Sequence, residues 1–465
     1  MPPDASAQAL DEFIRAACVP RSGSHADGTL DDARRVLGAN PALPSQSIHA
    51  AAIVGDDELV RSFIRGDASI ATRRGGPYDW DALTHLCFSR YLRLEPDRSP
   101  RFARAAEALL AAGADANAGF NEPGNAPTPE WEPVLYGAAG VAHDAAVTRL
   151  LVARGANVND PEVGYHTPET WDNGALQALL DSGRVNDETL AMMLLRKADW
   201  HDLDGVRMLL KHGADPNRMT QWGNNSLHNA VVSDNGIEIV EAMLDSGADP
   251  TRPNEVAAGH AARGRGKTAV AMAAWNGRRD LLELFAGRGF RPQLDGIESL
   301  VAACARGDDA AIQSITSRDP DLVQHLRSLG ADLLAPFARV GNMDGVRHLL
   351  DLGVDPRMTV SVPNGYWDTA LASTALHVAA WLARHDVVGL LLERGASVDA
   401  RDARGRTPLA LAVKAAVDSY WTRRRAPDSV VALLRAGANA NAPSVRYPSG
   451  YDEIDTLLAR ARAVA

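Results

Sequence analysis

Ser373-Thr374-Ala375-Leu376-His377-Val378-Ala379-Ala380, followed by Val387, Val388, Leu390, Leu391 and Leu392 and closed by Gly395-Ala396-Ser397, decides how this chain folds. Each of the two runs sets apolar residues at helical spacing, so the stretch predicts two short helices. Small Ala379 and Ala380 let the first helix approach its neighbours closely, and the leucines of the second supply the bulk between units. Gly395 ends the second helix, because the left-handed conformation common just past a helix end is cheap only for glycine. Helices this short cannot bury their apolar faces as one pair, so they must stack on like units before and after.

The like units are present. Gly113-Ala114-Asp115, Gly155-Ala156-Asn157, Gly213-Ala214-Asp215, Gly247-Ala248-Asp249 and Gly437-Ala438-Asn439 repeat the closure, 34 residues apart from Gly213 to Gly247 and 42 apart from Gly113 to Gly155 and from Gly395 to Gly437. Thr374-Ala375-Leu376-His377, Arg406-Thr407-Pro408-Leu409 and these closures resemble the ankyrin repeat, whose pattern is a Thr-Pro-Leu-His opening, an Ala-Ala pair, then Val-Val and Leu-Leu before Gly-Ala-Asp. The likeness runs, with gaps, from about Ser47 to Asn441. It implies an all-α solenoid of about ten units, antiparallel helix pairs joined by β-turn fingers, with a concave side that binds partners and no catalytic residues of its own.

The units are expected to begin near residues 46, 79, 131, 188, 222, 266, 296, 331, 373 and 406. Residues 161–187 exceed any loop the repeat needs and read as an insertion carrying a helix. The units near 46 and 296 lack the closure, which suggests a first sub-array over 46–290 and a second over 291–445. Segments 1–45 and 446–465 carry no signature and read as a helical N-terminal cap and a C-terminal capping helix, since the end units of a solenoid must present a polar outer face.

Composition narrows the function. The 465 residues are 46% hydrophobic and 23% charged, which is ample for a large core. Forty-eight Lys and Arg stand against 59 Asp and Glu, a net charge of −11 that disfavours nucleic acid as a partner. Cys18, Cys87 and Cys304 form no CxxC pair, which points to a reducing compartment. No signal-peptide run or membrane-length apolar stretch occurs, so the reading is a cytoplasmic chain with no membrane contact.

Searches for chemistry return little. Gly266-Lys267-Thr268 mimics the end of a phosphate-binding loop, but Ala261 stands where its first glycine belongs, and Thr268 reads better as a helix cap. His228 and His377 sit at the fourth place of the opening motif, where the resemblance implies a structural hydrogen bond, and no metal-ligand spacing appears. Cys87, within an apolar run, reads as a core residue. No cofactor or metal is expected.

Two patterns remain. Lys197 occupies the place of the Ala pair, so it needs a carboxylate, with Asp172 and Asp199 as candidates. Either an ion pair ties the 161–187 segment to the array, or a polar pocket uses Lys197, His201 and Asp172. Trp80, Trp131, Trp171, Trp222 and Trp367 all lie just before a first helix, on the finger side. They either anchor a binding groove or form small apolar clusters within long fingers. The sequence is therefore read as a monomeric interaction protein, not an enzyme, binding a protein or peptide along its groove. The alternative is an enzyme or small-ligand binder whose pocket is built by residues 161–187, Lys197 and His201.

Overall fold

A computed structural model describes residues 5–21, 23–122, 130–255, 266–291, 294–419 and 421–464. The chain is predominantly helical and divides into two compact units, one of Met1–Ala230 with Glu238–Ala248, the other of Val231–Ile237 with Asp249–Ala465. That division lies ahead of residue 290, the joint suggested by the missing closures.

In the first unit, Ala5–Ala17, Asp31–Ala39 and Leu43–Gln46 precede the helix pair Ile48–Ile53 and Asp57–Gly66. Next come Ala82–Cys87 and Ser99–Ala111, then Val134–Tyr136 running into the π-turn Gly137–Val141, paired with Ala145–Ala153. Among the described residues one sheet departs from the all-α expectation: Gly119–Glu122 and Glu130–Pro133 pair antiparallel, with Gly119 opposite Pro133 and Asn121 opposite Trp131. Gly119 makes this pairing possible, since a Cβ there would lie 2.3 Å from the Glu132 carbonyl oxygen.

Residues 161–187 differ from the expected insertion. They hold two helices, Pro161–His166 and Gly174–Leu180. The first packs between Gly137–Val141 and Asp187–Asp199, and the second packs on Ala145–Ala153. The segment therefore fills a helix pair's place in the stack without using the repeat's wording.

Hydrogen bonds explain why it fits. Each closure Asp or Asn turns its own finger by accepting the amide of the residue two further on, as Asp115 does from Asn117 and Asp215 from Asn217, both at 2.8 Å. Where that residue is Asn, its amide group crosses to the next finger. Asn117 donates to the Gly155 carbonyl and accepts from Asn157 N–H at 2.8 Å. Asn217 donates to the Gly247 carbonyl at 2.8 Å. Asn159 makes the same two bonds to the Arg184 carbonyl and to Asn186 N–H, at 3.0 and 2.8 Å. The disguised pair thus keeps its rung.

The second unit stacks Ala269–Trp275, Ala331–Val340, Ala375–Trp381 and Pro408–Asp418 with the partner helices Arg279–Gly287, Met343–Asp351, His385–Glu393 and Asp428–Arg435. Gly296–Arg306, Asp309–Arg318 and Asp321–Leu329 lie between the first two pairs in sequence, and Asp452–Val464 follows the last pair. Thr268 caps its helix by accepting Ala271 N–H at 3.1 Å. His377 takes the structural place implied for it: Nδ1 accepts Thr374 N–H at 3.1 Å, and Nε2 bonds the Arg406 carbonyl in the following finger at 3.1 Å. Leu391 is fully buried, while Leu392 is only partly covered.

Candidate functional site

Lys197 sits in the helix Asp187–Asp199 with its side chain fully buried. Its ammonium donates to Asp202 Oδ2 at 2.8 Å and to the Thr170 carbonyl. The carboxylate is thus neither Asp172 nor Asp199. Asp202 is the cap of the following helix, Leu203–Lys211, where it accepts Gly205 N–H at 3.0 Å, and Asn173 donates to it at 2.8 Å. Gly205 leaves room for the lysine stem, since a Cβ there would come within 2.6 Å of Lys197 Cδ. Burial pulls the Lys197 pKa down, against the opposing pull of Asp202, whose own pKa is lowered by Gly205 N–H and Lys197 despite its burial. Asp199 instead pairs with Arg196, and Asp172 accepts Gly174 N–H at 2.8 Å.

A cavity of about 480 Å³ opens beside this junction, lined by Arg93, Ser99, His143, Asp144, Thr170 and Asp172 among others. Neither Lys197 nor His201 lines it. His201 is exposed and adopts a left-handed backbone with φ of 52°.

The tryptophans separate. Trp80 is buried, stacked on Phe120 at 4.3 Å with the Arg21 guanidinium 5.1 Å from its ring, so it offers no face to a partner. Trp131, Trp171 and Trp222 are 43%, 66% and 42% exposed, respectively. Two of these three are held by aromatic edges. Trp171 meets Trp200 at 5.1 Å and donates its indole N–H to the Trp200 carbonyl at 3.1 Å, and Trp222 meets Tyr165 at 5.8 Å. Trp171 lies between Pro161–His166 and Gly174–Leu180, the two helices of one pair, and not ahead of a first helix as its place in the sequence suggested. In the second unit, Trp367 is half-buried under the Arg339 guanidinium at 4.7 Å.

The structure adds a polar cluster that sequence reasoning missed. His166 is bonded to Glu169 at 2.7 Å and paired with Glu162 at 3.3 Å; Arg196 also pairs with Glu169. His25 meets the Tyr136 hydroxyl at 3.0 Å and Glu122 at 3.5 Å, and Arg21 reaches Glu122 at 3.3 Å. Glu132, on the hairpin, is 3% exposed, and its Oε2 has no hydrogen-bond partner among the described residues. Burial, then Glu162, Glu122 and Glu130, raise its pKa to about 8. Burial would lower His166, but its hydrogen bonds to Glu162 and Glu169 prevail and raise it to about 9. The available signal was the acidic flanking of the hairpin, Glu122, Glu130 and Glu132, which has no repeat phase.

Among the described residues no group of His, Cys, Asp or Glu is placed to hold a metal ion, and no helix is long and apolar enough to cross a membrane. Cys87 is buried, and burial pushes its thiol pKa well up, opposite to an activated nucleophile.

Comparison with known proteins agrees with the repeat reading. A model of ankyrin repeats in three copies matches residues 135–254, and an ankyrin-repeat model matches 373–403. Over 84 residues the chain is 40% identical to serine/threonine-protein kinase 12 of Arabidopsis thaliana, a match covering 18% of this chain and 16% of that protein.

Proposed function

From the premise that this chain carries ankyrin repeats, we propose that it is a protein-interaction module that holds a protein or peptide partner along the finger side of its first helices, without turnover. The observation that carries this reading is the exposure of Trp131 and Trp222, both in segments just ahead of first helices. Large rings left in water and held by neighbouring groups make good interface anchors, because little freedom is lost when a partner covers them. The array is read as about ten units in two sub-arrays, 46–290 and 291–445, with caps at 1–45 and 446–465. A cytoplasmic monomer without cofactor or nucleic-acid partner is the matching expectation. The short match to a kinase does not carry a kinase activity across.

Quantitative affinity capture by the intact chain and by a Trp131→Ala/Trp222→Ala variant tests this. Partners should be lost from the variant, with binding weaker by about 1–4 kcal/mol per indole, while the thermal midpoint stays put. Equal capture by both chains would refute the assignment of the binding face.

A further inference from the structure

The second unit gathers four arginines from four separate segments around one carboxylate. Asp234, in a left-handed turn with φ of 59°, meets Arg278 Nη1 through Oδ1 at 3.4 Å and Arg384 Nη2 through Oδ2 at 3.1 Å. Arg278 also donates to Asp280 at 2.7 and 2.9 Å and to the Asn235 carbonyl at 2.7 Å. Arg339 donates to Asn276 Oδ1 at 2.6 Å and to the Val232 carbonyl at 3.2 Å, and its own carbonyl accepts from Arg384 Nε at 2.7 Å. Arg424 feels the same Asp234 and the same Arg384.

Charge does not balance there. Four guanidiniums face two carboxylates, Asp234 and Asp280, which leaves a surplus of two positive charges within the cluster. Arg278 and Arg339 are only 4% and 5% exposed, so water reaches them poorly. Burial lowers the pKa of both Arg339 and Arg384, to about 10, so both remain charged at neutral pH. Nη1 of Arg424 is buried with no hydrogen-bond acceptor among the described residues, and Nη1 of Arg278 has only its ion pair to Asp234 at 3.4 Å, with no hydrogen bond. Meanwhile the side chains of Arg384 and Asp234 keep 20% and 17% of their surface open, which provides a way in.

We infer that this cluster is a binding site for a phosphoryl dianion, with Arg384 and Arg424 contacting the ligand and Arg278 and Arg339 fixing the positive field behind them. A dianion matches the surplus of two charges. Its oxygens suit the planar two-pronged donors of arginine, which is why arginine recurs where phosphate is recognised. The overall charge of −11 does not oppose this, because the buried local surplus is screened far less than the surface.

Calorimetry and thermal unfolding of the full chain test the site, with inorganic phosphate and O-phosphoserine as probes against chloride at equal ionic strength. The expected result is one equivalent bound and a saturable rise in midpoint that chloride does not give. The stronger probe tells whether a free ion or a phosphorylated side chain is the natural source. Arg424→Met should weaken binding by about tenfold or more, the loss of a charge-assisted hydrogen bond, while Arg423→Met, at an exposed neighbour, should not. Asp234→Asn should lower the midpoint in chloride and recover it in phosphate. A purely structural network would give phosphate no advantage over chloride and no recovery of Asp234→Asn, and either result would overturn the inference.

Discussion

Each compact unit buries a polar cluster, and the two meet burial by different means. Around Glu132 in the first unit, the groups can trade protons. Glu132 holds one to about pH 8, His166 holds one to about pH 9, and burial disfavours a charge on His25. Around Asp234 in the second unit the positive groups are all arginine, which cannot shed a proton at neutral pH even when burial lowers it. The lesson is one of residue type. A desolvated cluster of Glu and His adjusts its own charge, whereas a desolvated cluster of Arg needs an external anion.

The largest expected effect tests whether protons really relieve burial in the first unit. Asp202→Ala leaves the Lys197 ammonium with only the Thr170 carbonyl, and should cost about 3–5 kcal/mol at neutral pH. That cost should shrink at alkaline pH, because the depressed Lys197 sheds its proton in the folded chain before it does so in the unfolded one. Denaturant titrations at about pH 7 and about pH 9.5 check it. Lys197→Met should cost much less, since Asp202 keeps its bonds from Gly205 and Asn173.

An apolar cut supplies the reference. Leu391→Ala should destabilise the second unit by about 2–5 kcal/mol with no pH dependence. Hydrogen exchange should rise most in residues 373–440, the helix pairs stacked on the truncated side chain. If the loss varied with pH, a titrating group would have to be coupled to that core.

Next comes the hairpin carboxyl. Glu132 is protonated in the folded chain up to about pH 8, while the unfolded chain releases that proton near the ordinary 4.5. The folded state therefore binds more protons across this window, and the stability of the first unit should fall as pH rises from 4.5 through about 8. His166 adds to the same slope between 6.5 and about 9. Glu132→Gln keeps the shape without the charge, and should stabilise by about 1–3 kcal/mol at about pH 8.5 with little change near pH 5. Thermal melts at both pH values decide it. The smallest effect is the complement: exchange protection around Arg278 and Arg339 should stay flat between about pH 6.5 and 9, because no arginine titrates there.

The sequence made the repeat legible because its closures serve the backbone directly: Gly395 takes φ of 84°, and Asp115 and Asp215 turn their own fingers. The oddness of Lys197 was legible too, since a long cation stood where a small residue belongs. Its partner was not, because Asp202 is set by the start of the next helix and not by the helical face that pointed to Asp199. Arg278 and Arg384 each stand five residues after the first alanine of an Ala-Ala-Trp run, Ala273 and Ala379, and that shared phase could have flagged them. Arg339 and Asp234 have no such phase, so their meeting depends on the stacking. Trp80 misled because position before a first helix does not tell an indole on the surface from one stacked on Phe120.

The Asn rungs bear on how such a chain can change length. Asn117, Asn159 and Asn217 each donate to a carbonyl of the finger that follows, Asn117 and Asn159 also accept an amide from it, and the pair at 161–187 joins through Asn159 although it lacks the repeat's wording. A segment copied or removed from Asn117 to Asn159 would leave the same donor and acceptor facing the next finger at the joint. In this stretch a unit is therefore better counted by its rung than by its recognisable phrase.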